Sequence, residues 1–247
     1  MFKKNFLLDL SLKYKIFYKP YLYYNIYIRN LKFFYKNTLS QDKEDLFIKK
    51  FFKNKNKGTY LDIGCFNPLL WNNTYLLYKK GWTGINVDIQ KINIDLFNVA
   101  RPNDINICCA LYDKKKILNL YGLKGENNSA VMTIDKSHAK KMKFLFNKNI
   151  LKKKIKTLTF SEMIKKHNIK INNIDFLNID TEGSDFNILK SINIQKYKPK
   201  LICIEISQFT KNMNKKRIIN YLKLNHYKCI YKSSVSSFFK RINNVFY

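Results

Sequence analysis

A short apolar run that ends in an acidic turn most constrains what this chain can fold into. Residues 174–179 read IDFLNI, and DTEG follows at positions 180–183. Beyond the turn, apolar residues recur with helical spacing as far as Ile192. The pattern predicts a buried strand that runs into a helix, with Asp180 and Glu182 at the junction. Ligands of open α/β sheets bind beyond the carboxyl ends of the strands, so we expect both carboxylates to lie at a site.

A purely structural role also fits this turn. Thr181 or Asp180 could cap the helix, which would leave Glu182 as a solvated acid of the first helical turn. The turn alone does not separate a helix cap from a site, so the choice depends on the rest of the chain.

Two further strand ends carry acids and glycines. The segment YLDIGCFNP at 60–68 predicts a strand with Asp62 near its end and Gly64 in the following turn, where backbone can approach a ligand closely. Asp88 ends the next predicted strand, 24 residues after Gly64, which suits an acceptor for ribose hydroxyls. A cap for a helix that begins near Lys91 is the alternative role of Asp88. The absence of GxGxxG disfavours an ordinary dinucleotide site.

Alternating strand and helix patterns continue to the end of the chain. Apolar strands are predicted at 104–109 and 200–206, and the segments 227–231 and 236–239 suit closing antiparallel strands. This order predicts an α/β fold with a doubly wound sheet and an antiparallel edge. We assign 41–247 to that domain.

Residues 1–40 are rich in lysine and aromatic side chains and predict a helical extension. We expect this extension to pack on the domain. Its alternative role is a helix that contacts a membrane surface or a partner.

The net charge of +30, from 47 basic and 17 acidic residues, raises the question of an anionic partner. A nucleic acid or an anionic membrane would suit such a charge. However, the lysines are spread along the whole chain, and the composition matches that expected from an AT-rich genome. We therefore favour compositional drift over a nucleic-acid function.

The five cysteines form no CxxC pair, and the three histidines are not spaced with them as metal ligands. We expect reduced cysteines, no metal site and a cytoplasmic protein. We also expect no signal peptide and no transmembrane helix, because no apolar run is long enough. His138 lies in a lysine-rich stretch, so we predict an exposed side chain rather than a general base.

Five segments together resemble the FkbM-like methyltransferases, which are class I enzymes that use S-adenosylmethionine. The resemblance covers about residues 58–207. It differs from the family pattern at two positions, where Cys65 replaces alanine and Asp88 replaces glutamate. The segments are YLDIGCFNP, GWTGINVDI, RPNDINICCAL, IDFLNIDTEG and KPKLICIEI.

The resemblance implies a seven-stranded Rossmann-like methyltransferase sheet with S-adenosylmethionine over the ends of the first strands. Asp62 and Gly64 would line the methionine side, and Asp88 would bind the ribose hydroxyls. Cys109 and Ala110 would border the adenine. The predicted cofactor site also includes Cys65, Asn67 and Ile89.

The function expected from this resemblance is O-methylation of a sugar or another small hydroxyl acceptor. Asp180 or Glu182 would accept the hydroxyl proton or orient the acceptor, with Asp180 preferred because it is closer to the strand end. Metal binding by this pair with Glu205 is a weaker alternative.

Two other functions remain as alternatives. An RNA methyltransferase would suit the charge, but the Asn/Asp-Pro-Pro-aromatic turn of many base-amine methyltransferases is missing here. A non-catalytic membrane-associated or scaffold protein would use residues 1–40 as its contact surface.

Overall fold

Seven strands form the central sheet, in the order β3-β2-β1-β7-β8-β10-β9. A computed structural model describes residues 3–124, 132–207 and 210–242. The strands are β1 (Thr59–Ile63), β2 (Thr83–Asp88), β3 (Ile105–Cys108), β4 (Ala110–Leu111), β5 (Ile117–Leu123), β6 (Ile150–Leu158), β7 (Phe176–Ile179), β8 (Leu201–Glu205), β9 (Tyr227–Lys232) and β10 (Ser236–Arg241).

Helices cover the sheet and precede it. The α-helices are α1 (Lys3–Lys13), α2 (Tyr18–Tyr23), α3 (Glu44–Phe51), α4 (Tyr75–Lys79), α5 (Lys91–Ala100), α6 (Lys136–Phe146), α7 (Phe160–Lys166), α8 (Asp185–Ser191), α9 (Ile194–Tyr197) and α10 (Asn212–Leu224). Short 3-10 turns lie at Lys15–Phe17 and Leu31–Tyr35, and a π-helical turn lies at Tyr24–Arg29.

The predicted doubly wound sheet with an antiparallel edge is confirmed. Strands β3, β2, β1, β7 and β8 are parallel, whereas β10 and β9 close the sheet in antiparallel pairing. Every residue of β7 is buried, and Leu177 packs in the core with Leu61 and Ile202. Each such side chain contributes roughly 1.5–3 kcal/mol by leaving water, which explains why these apolar runs become central strands.

The order of the sheet reverses around β1, and this reversal positions the site. Strands β2 and β7 flank β1 in matched register, with Ile63 opposite Val87 on one side and Ile179 on the other. The loops that leave these three strands therefore emerge at one edge. A crevice at such a switch point is where ligands of open α/β sheets bind.

A second, three-stranded sheet in the order β4-β6-β5 leaves the main sheet after β3. In this sheet β6, which begins at Ile150, pairs antiparallel with β5. The run Lys152–Lys154 pairs with β5 although it has no apolar alternation, so the sequence pattern did not reveal it.

The N-terminal segment packs on the domain, as expected. Its buried side chains Leu22 and Ile26 join a cluster with Ile92 and Leu96 of α5. The Tyr18 hydroxyl donates a hydrogen bond of 2.6 Å to Asp95. No helix in the described part of the chain is long and apolar enough to cross a membrane.

Candidate functional site

Two cavities open at the carboxyl edge of the sheet, and they share one wall. We call the cavity over the ends of β1, β2 and β3 the sheet-edge cavity. The outer cavity lies between the same edge and helix α6. Gly64, Phe66, Asp180 and Glu182 line both. A ligand in one cavity would therefore meet a ligand in the other at these four residues.

The sheet-edge cavity is mainly apolar, and its lining includes three carboxylates, those of Asp88, Asp180 and Glu182. Five predicted cofactor residues line it, and so do several apolar side chains that the sequence did not single out. A largely apolar wall with a few polar groups is typical of small-molecule and cofactor sites. The predicted residues are Gly64, Asp88, Ile89, Cys109 and Ala110, and the apolar ones include Leu120, Met132, Ile134 and Ile188.

Asp88 connects the loops after β1 and β2. Its Oδ1 atom accepts hydrogen bonds from the Gln90 amide (2.7 Å) and the Asn93 side chain (3.0 Å), and Oδ2 accepts from the Phe66 amide (3.0 Å). Burial raises the pKa of Asp88 to about 6, against the lowering effect of these donors. The hydrogen bond to the Gln90 amide agrees with the alternative role of Asp88 as a cap for the following helix, α5. Asp88 also lines the sheet-edge cavity.

Gly64 allows the loop after β1 to pass very close to β7. Its φ is +80°, and its amide donates a hydrogen bond of 2.8 Å to the Val87 carbonyl. A Cβ atom at this position would meet the backbone of Asp180. This position therefore requires glycine for two reasons, its left-handed backbone conformation and its close approach to the Asp180 backbone. A close approach of the backbone was expected from its place in the sequence.

The acidic turn is held by Asp185, not by a cap from Asp180 or Thr181. Asp185 accepts hydrogen bonds from the amides of Thr181 (2.8 Å) and Gly183 (3.1 Å). Glu182 has φ +54°, a left-handed conformation that costs about 1–2 kcal/mol for a residue with a side chain. Strain of this kind persists where surrounding contacts enforce it, and it is concentrated at functional sites.

Asp180 and Glu205 belong to one group of acids at the end of β7 and β8. Asp180 is exposed and lines the outer cavity. Desolvation of its carboxylate by the surrounding protein, followed by repulsion from Glu182 and Asp185, raises the pKa of Asp180 well above its usual range. Burial and the same neighbouring acids also raise the pKa of Glu205. Both carboxylates are therefore stronger bases than free ones.

The expectation of an exposed His138 was wrong. Only 12% of its side chain is exposed, and its Nε2 atom lies 2.9 Å from Glu182 Oε2. Nε2 makes no hydrogen bond there, and the contact with Glu182 is an ion pair when the imidazole is protonated. His138 also lines the outer cavity.

A short segment before α6 brings His138 to the acidic turn. Thr133 donates a hydrogen bond of 2.6 Å to the Glu182 carbonyl, and Asp135 caps α6 by accepting from the Ser137 amide at 2.7 Å. Lys211 reaches Asp135 at 2.9 Å. The sequence contains one signal for this contact, a Met-Thr-Ile-Asp segment of apolar and capping residues directly before the lysine-rich stretch.

Three predicted cofactor residues lie behind the cavity walls instead of lining them. The buried Asp62 carboxylate accepts hydrogen bonds of 2.8 Å from Thr74 and from Asn178. Cys65 packs in a small apolar cluster. Asn67 accepts from the amides at positions 69 and 70 and so shapes the loop after β1. Direct contacts of these three with a cofactor stay a prediction, and their observed contacts support the loop.

Arg101, which was not among the predicted site residues, holds the loop after β1 in place through buried hydrogen bonds. The guanidinium is fully buried and donates to the Pro68 carbonyl and Asn72 Oδ1 at 2.7 Å each, and to Thr74 at 2.8 Å. Phe97 packs against it, with its ring centre 4.8 Å from the guanidinium carbon. Its partners precede it in the sequence by 27 to 33 residues, so no local pattern marks it.

The outer cavity combines acids with aromatic and apolar side chains. Phe66 stacks on Trp71 with ring centres 6.1 Å apart, and Trp71 remains largely exposed. Glu44 and Glu205 lie across from the apolar side chains of α6, which are Met142, Leu145 and Phe146. Among the described residues, no three His, Cys, Asp or Glu side chains are grouped to hold a metal ion.

Comparison with known proteins adds the family. The sequence profile described as the Methyltransferase FkbM domain matches residues 55–229. No curated protein matches significantly. Solved structures that match include a "putative type 11 methyltransferase from Sulfolobus solfataricus", 10% identical, with a TM-score of 0.43, covering 84% of this chain and 97% of that one. Because the profile covers more than half of the sequence, this chain belongs to the FkbM methyltransferase family.

Proposed function

We propose that this protein transfers the methyl group of S-adenosylmethionine to a hydroxyl group of a sugar or another small acceptor. The observation that carries the proposal is the shared wall of the two cavities. A cofactor in the sheet-edge cavity and an acceptor in the outer cavity would face each other at Asp180 and Glu182. Such alignment of two reactants supplies much of the rate enhancement in a displacement reaction.

The residues of the sheet-edge cavity fit S-adenosylmethionine. Leu111, Leu120 and Met132 offer an apolar wall for a flat base. Asp88 has three donors on its two oxygens, and a carboxylate has about four acceptor positions, so it retains capacity for a ribose hydroxyl. When bound, the cofactor supplies a methyl group that its sulfonium has already activated.

Three residues of this chain would then act on the acceptor. Asp180 would take the hydroxyl proton, and its raised pKa makes its carboxylate a stronger base than that of an isolated aspartate. Glu182 would hold the hydroxyl through a second hydrogen bond. His138, 2.9 Å from Glu182, would balance negative charge there.

Asp62, Cys65 and Asn67 would contribute indirectly. The loop after β1 carries Phe66 to the junction of the cavities, and these three residues fix that loop through buried contacts. Their role in the proposal is to hold the cofactor-binding loop in shape.

Incubation with methyl-labelled S-adenosylmethionine and a panel of sugars and small alcohols tests the proposal. The expected product is a labelled methyl ether, which resists alkali. A methyl ester would release its label under alkali, and would assign transfer to a carboxylate instead. Transfer to no hydroxyl compound, by protein that binds the cofactor, would contradict the acceptor class.

A further inference from the structure

Helix α6 ends in an exposed apolar tip that nothing in the transfer reaction explains. We call residues 144–151 the α6 tip. Phe144 is 87% exposed, and Leu145, Phe146 and Leu151 are each about half exposed. Exposed aromatic and aliphatic side chains at consecutive positions are unusual on a protein surface and mark an interaction site.

The sequence on both sides of the tip is basic. From position 136 to 156 it contains nine lysines and no aspartate or glutamate. Lys143 precedes the tip residue Phe144, and Lys152, Lys153 and Lys154 follow Leu151, all exposed. Although lysine is abundant throughout this chain, the complete absence of acids along this segment is a local property, and the acids nearby belong to the wall of the outer cavity.

The tip also lies at the outer cavity. Leu145 and Phe146 line that cavity together with Met142, whereas Phe144 and Leu151 do not. The same element therefore presents one apolar edge to the proposed acceptor and another to solvent. Whatever binds the tip would be next to the opening through which an acceptor reaches Asp180.

We propose that the α6 tip docks on an anionic lipid bilayer, and that the acceptor hydroxyl belongs to a lipid-anchored molecule presented at that surface. The inference rests on the methyl transfer proposed above. Aromatic and aliphatic side chains insert at the boundary of headgroups and acyl chains, while lysines reach anionic headgroups on flexible stems. Lysines near an anionic membrane add attraction that depends on salt.

Charge and apolar exposure together favour a bilayer over a nucleic acid. RNA would be bound by the lysines and by aromatic stacking, but it offers no apolar phase for Leu145 and Leu151.

The N-terminal extension also exposes apolar side chains, including Ile16 (79%) and Ile28 (67%). That surface lines neither cavity, so it provides a matched control.

Vesicle co-sedimentation with phosphatidylcholine alone and with added phosphatidylglycerol tests the docking. We expect binding only to the anionic vesicles, and weaker binding in high salt. The pair Phe144→Ser and Leu151→Ser should reduce binding at least about tenfold, whereas Ile16→Ser with Ile28→Ser should change it little. Equal binding by the tip variant, or loss only in the N-terminal variant, would overturn the inference. Preferential binding of RNA, lost in the tip variant, would also overturn it.

A second measurement concerns the acceptor. A glycolipid embedded in anionic vesicles should be methylated faster than its free sugar headgroup, and the tip variant should lose this advantage while it keeps its rate on the free sugar. Equal rates on both acceptors would overturn the inference. Binding of S-adenosylhomocysteine by each variant, measured without vesicles, tests the proposed function independently of membrane docking. The tip variant should bind it like the wild type, because neither Phe144 nor Leu151 lines a cavity.

Discussion

Gly64 and Asp180 are in contact at the junction of the two cavities, so close that a Cβ atom on Gly64 would overlap the Asp180 carbonyl oxygen. The Asp180 amide in turn donates a hydrogen bond of 2.9 Å to the Ile63 carbonyl. The loop that would contact the cofactor and the turn that would contact the acceptor therefore pack directly against each other. A displacement of the loop should also displace the turn, and the reverse.

Substitution of Gly64 by alanine should destabilise the fold and disturb the site together. The new Cβ must push the Asp180 backbone away, and φ +80° is unfavourable for alanine. We expect a loss of at least about 2–3 kcal/mol of unfolding free energy, measured by urea denaturation. Gly81→Ala is the matched control, because Gly81 has φ +90° but nothing within 4 Å of its Cβ position. Equal losses of unfolding free energy in the two variants would show that the destabilisation comes from backbone strain and not from the contact with Asp180.

Asp180→Asn should lower methyl transfer while leaving the fold intact. Removal of a general base typically costs about 100-fold or more in rate. The asparagine keeps the size of the side chain, so the melting temperature should change little. Asp185→Asn serves as the contrast, because Asp185 holds the turn through the Thr181 and Gly183 amides and its loss should lower stability. Unchanged turnover in Asp180→Asn would remove this residue from the mechanism.

His138→Gln should slow transfer about tenfold through its contact with Glu182. Binding of S-adenosylhomocysteine should stay within about twofold of the wild type, because His138 lines only the outer of the two shared cavities. The exposed His167 at the end of α7 provides the control variant, His167→Gln, which should have no effect. A weaker cofactor affinity with an unchanged rate would contradict this assignment.

Cofactor affinity should rise with pH in the range where Asp88 ionises. Ribose hydroxyls donate to a carboxylate, so the ionised form should bind better, and its pKa in the folded protein is about 6. Affinity for S-adenosylhomocysteine should be about tenfold lower at pH 5 than at pH 7.5. The raised pKa of Asp88 also affects stability. Between about pH 4 and pH 6 the Asp88 carboxyl is protonated in the folded protein but ionised in the unfolded chain, so the free energy of unfolding falls as the pH rises through this range.

A flat affinity between pH 5 and pH 7.5 would show that Asp88 does not contact the ligand. In that case its carboxylate would serve only the Phe66, Gln90 and Asn93 donors.

Much of the architecture was predictable because it depends on local patterns. The runs that became β1, β2, β7 and β8 are apolar over their whole length, which is typical of parallel strands buried on both faces. Their acidic ends located the edge of the sheet. Gly64, Asp88 and Asp180 were correctly expected at this edge, because loops from adjacent parallel strands must emerge together.

The remaining features depend on partners distant in the sequence. Asp62 is turned towards Asn178 and Thr74, and no local pattern reveals which face of β1 those partners occupy. His138 was predicted to be exposed because its neighbours are lysines, yet Thr133 fastens its segment to the acidic turn. Arg101 was missed because its acceptors lie about 30 residues earlier in the chain.

Calorimetric titration with S-adenosylhomocysteine tests the central claim most directly, for the wild type, Asp88→Ala and Asp104→Ala. Asp104 is another buried acid, bound to the Gly84 amide and to Asn86, and it does not line the sheet-edge cavity. We predict saturable binding at one site, lost in Asp88→Ala and retained in Asp104→Ala. No binding by the wild type, or unchanged binding by Asp88→Ala, would contradict a cofactor site at this edge of the sheet.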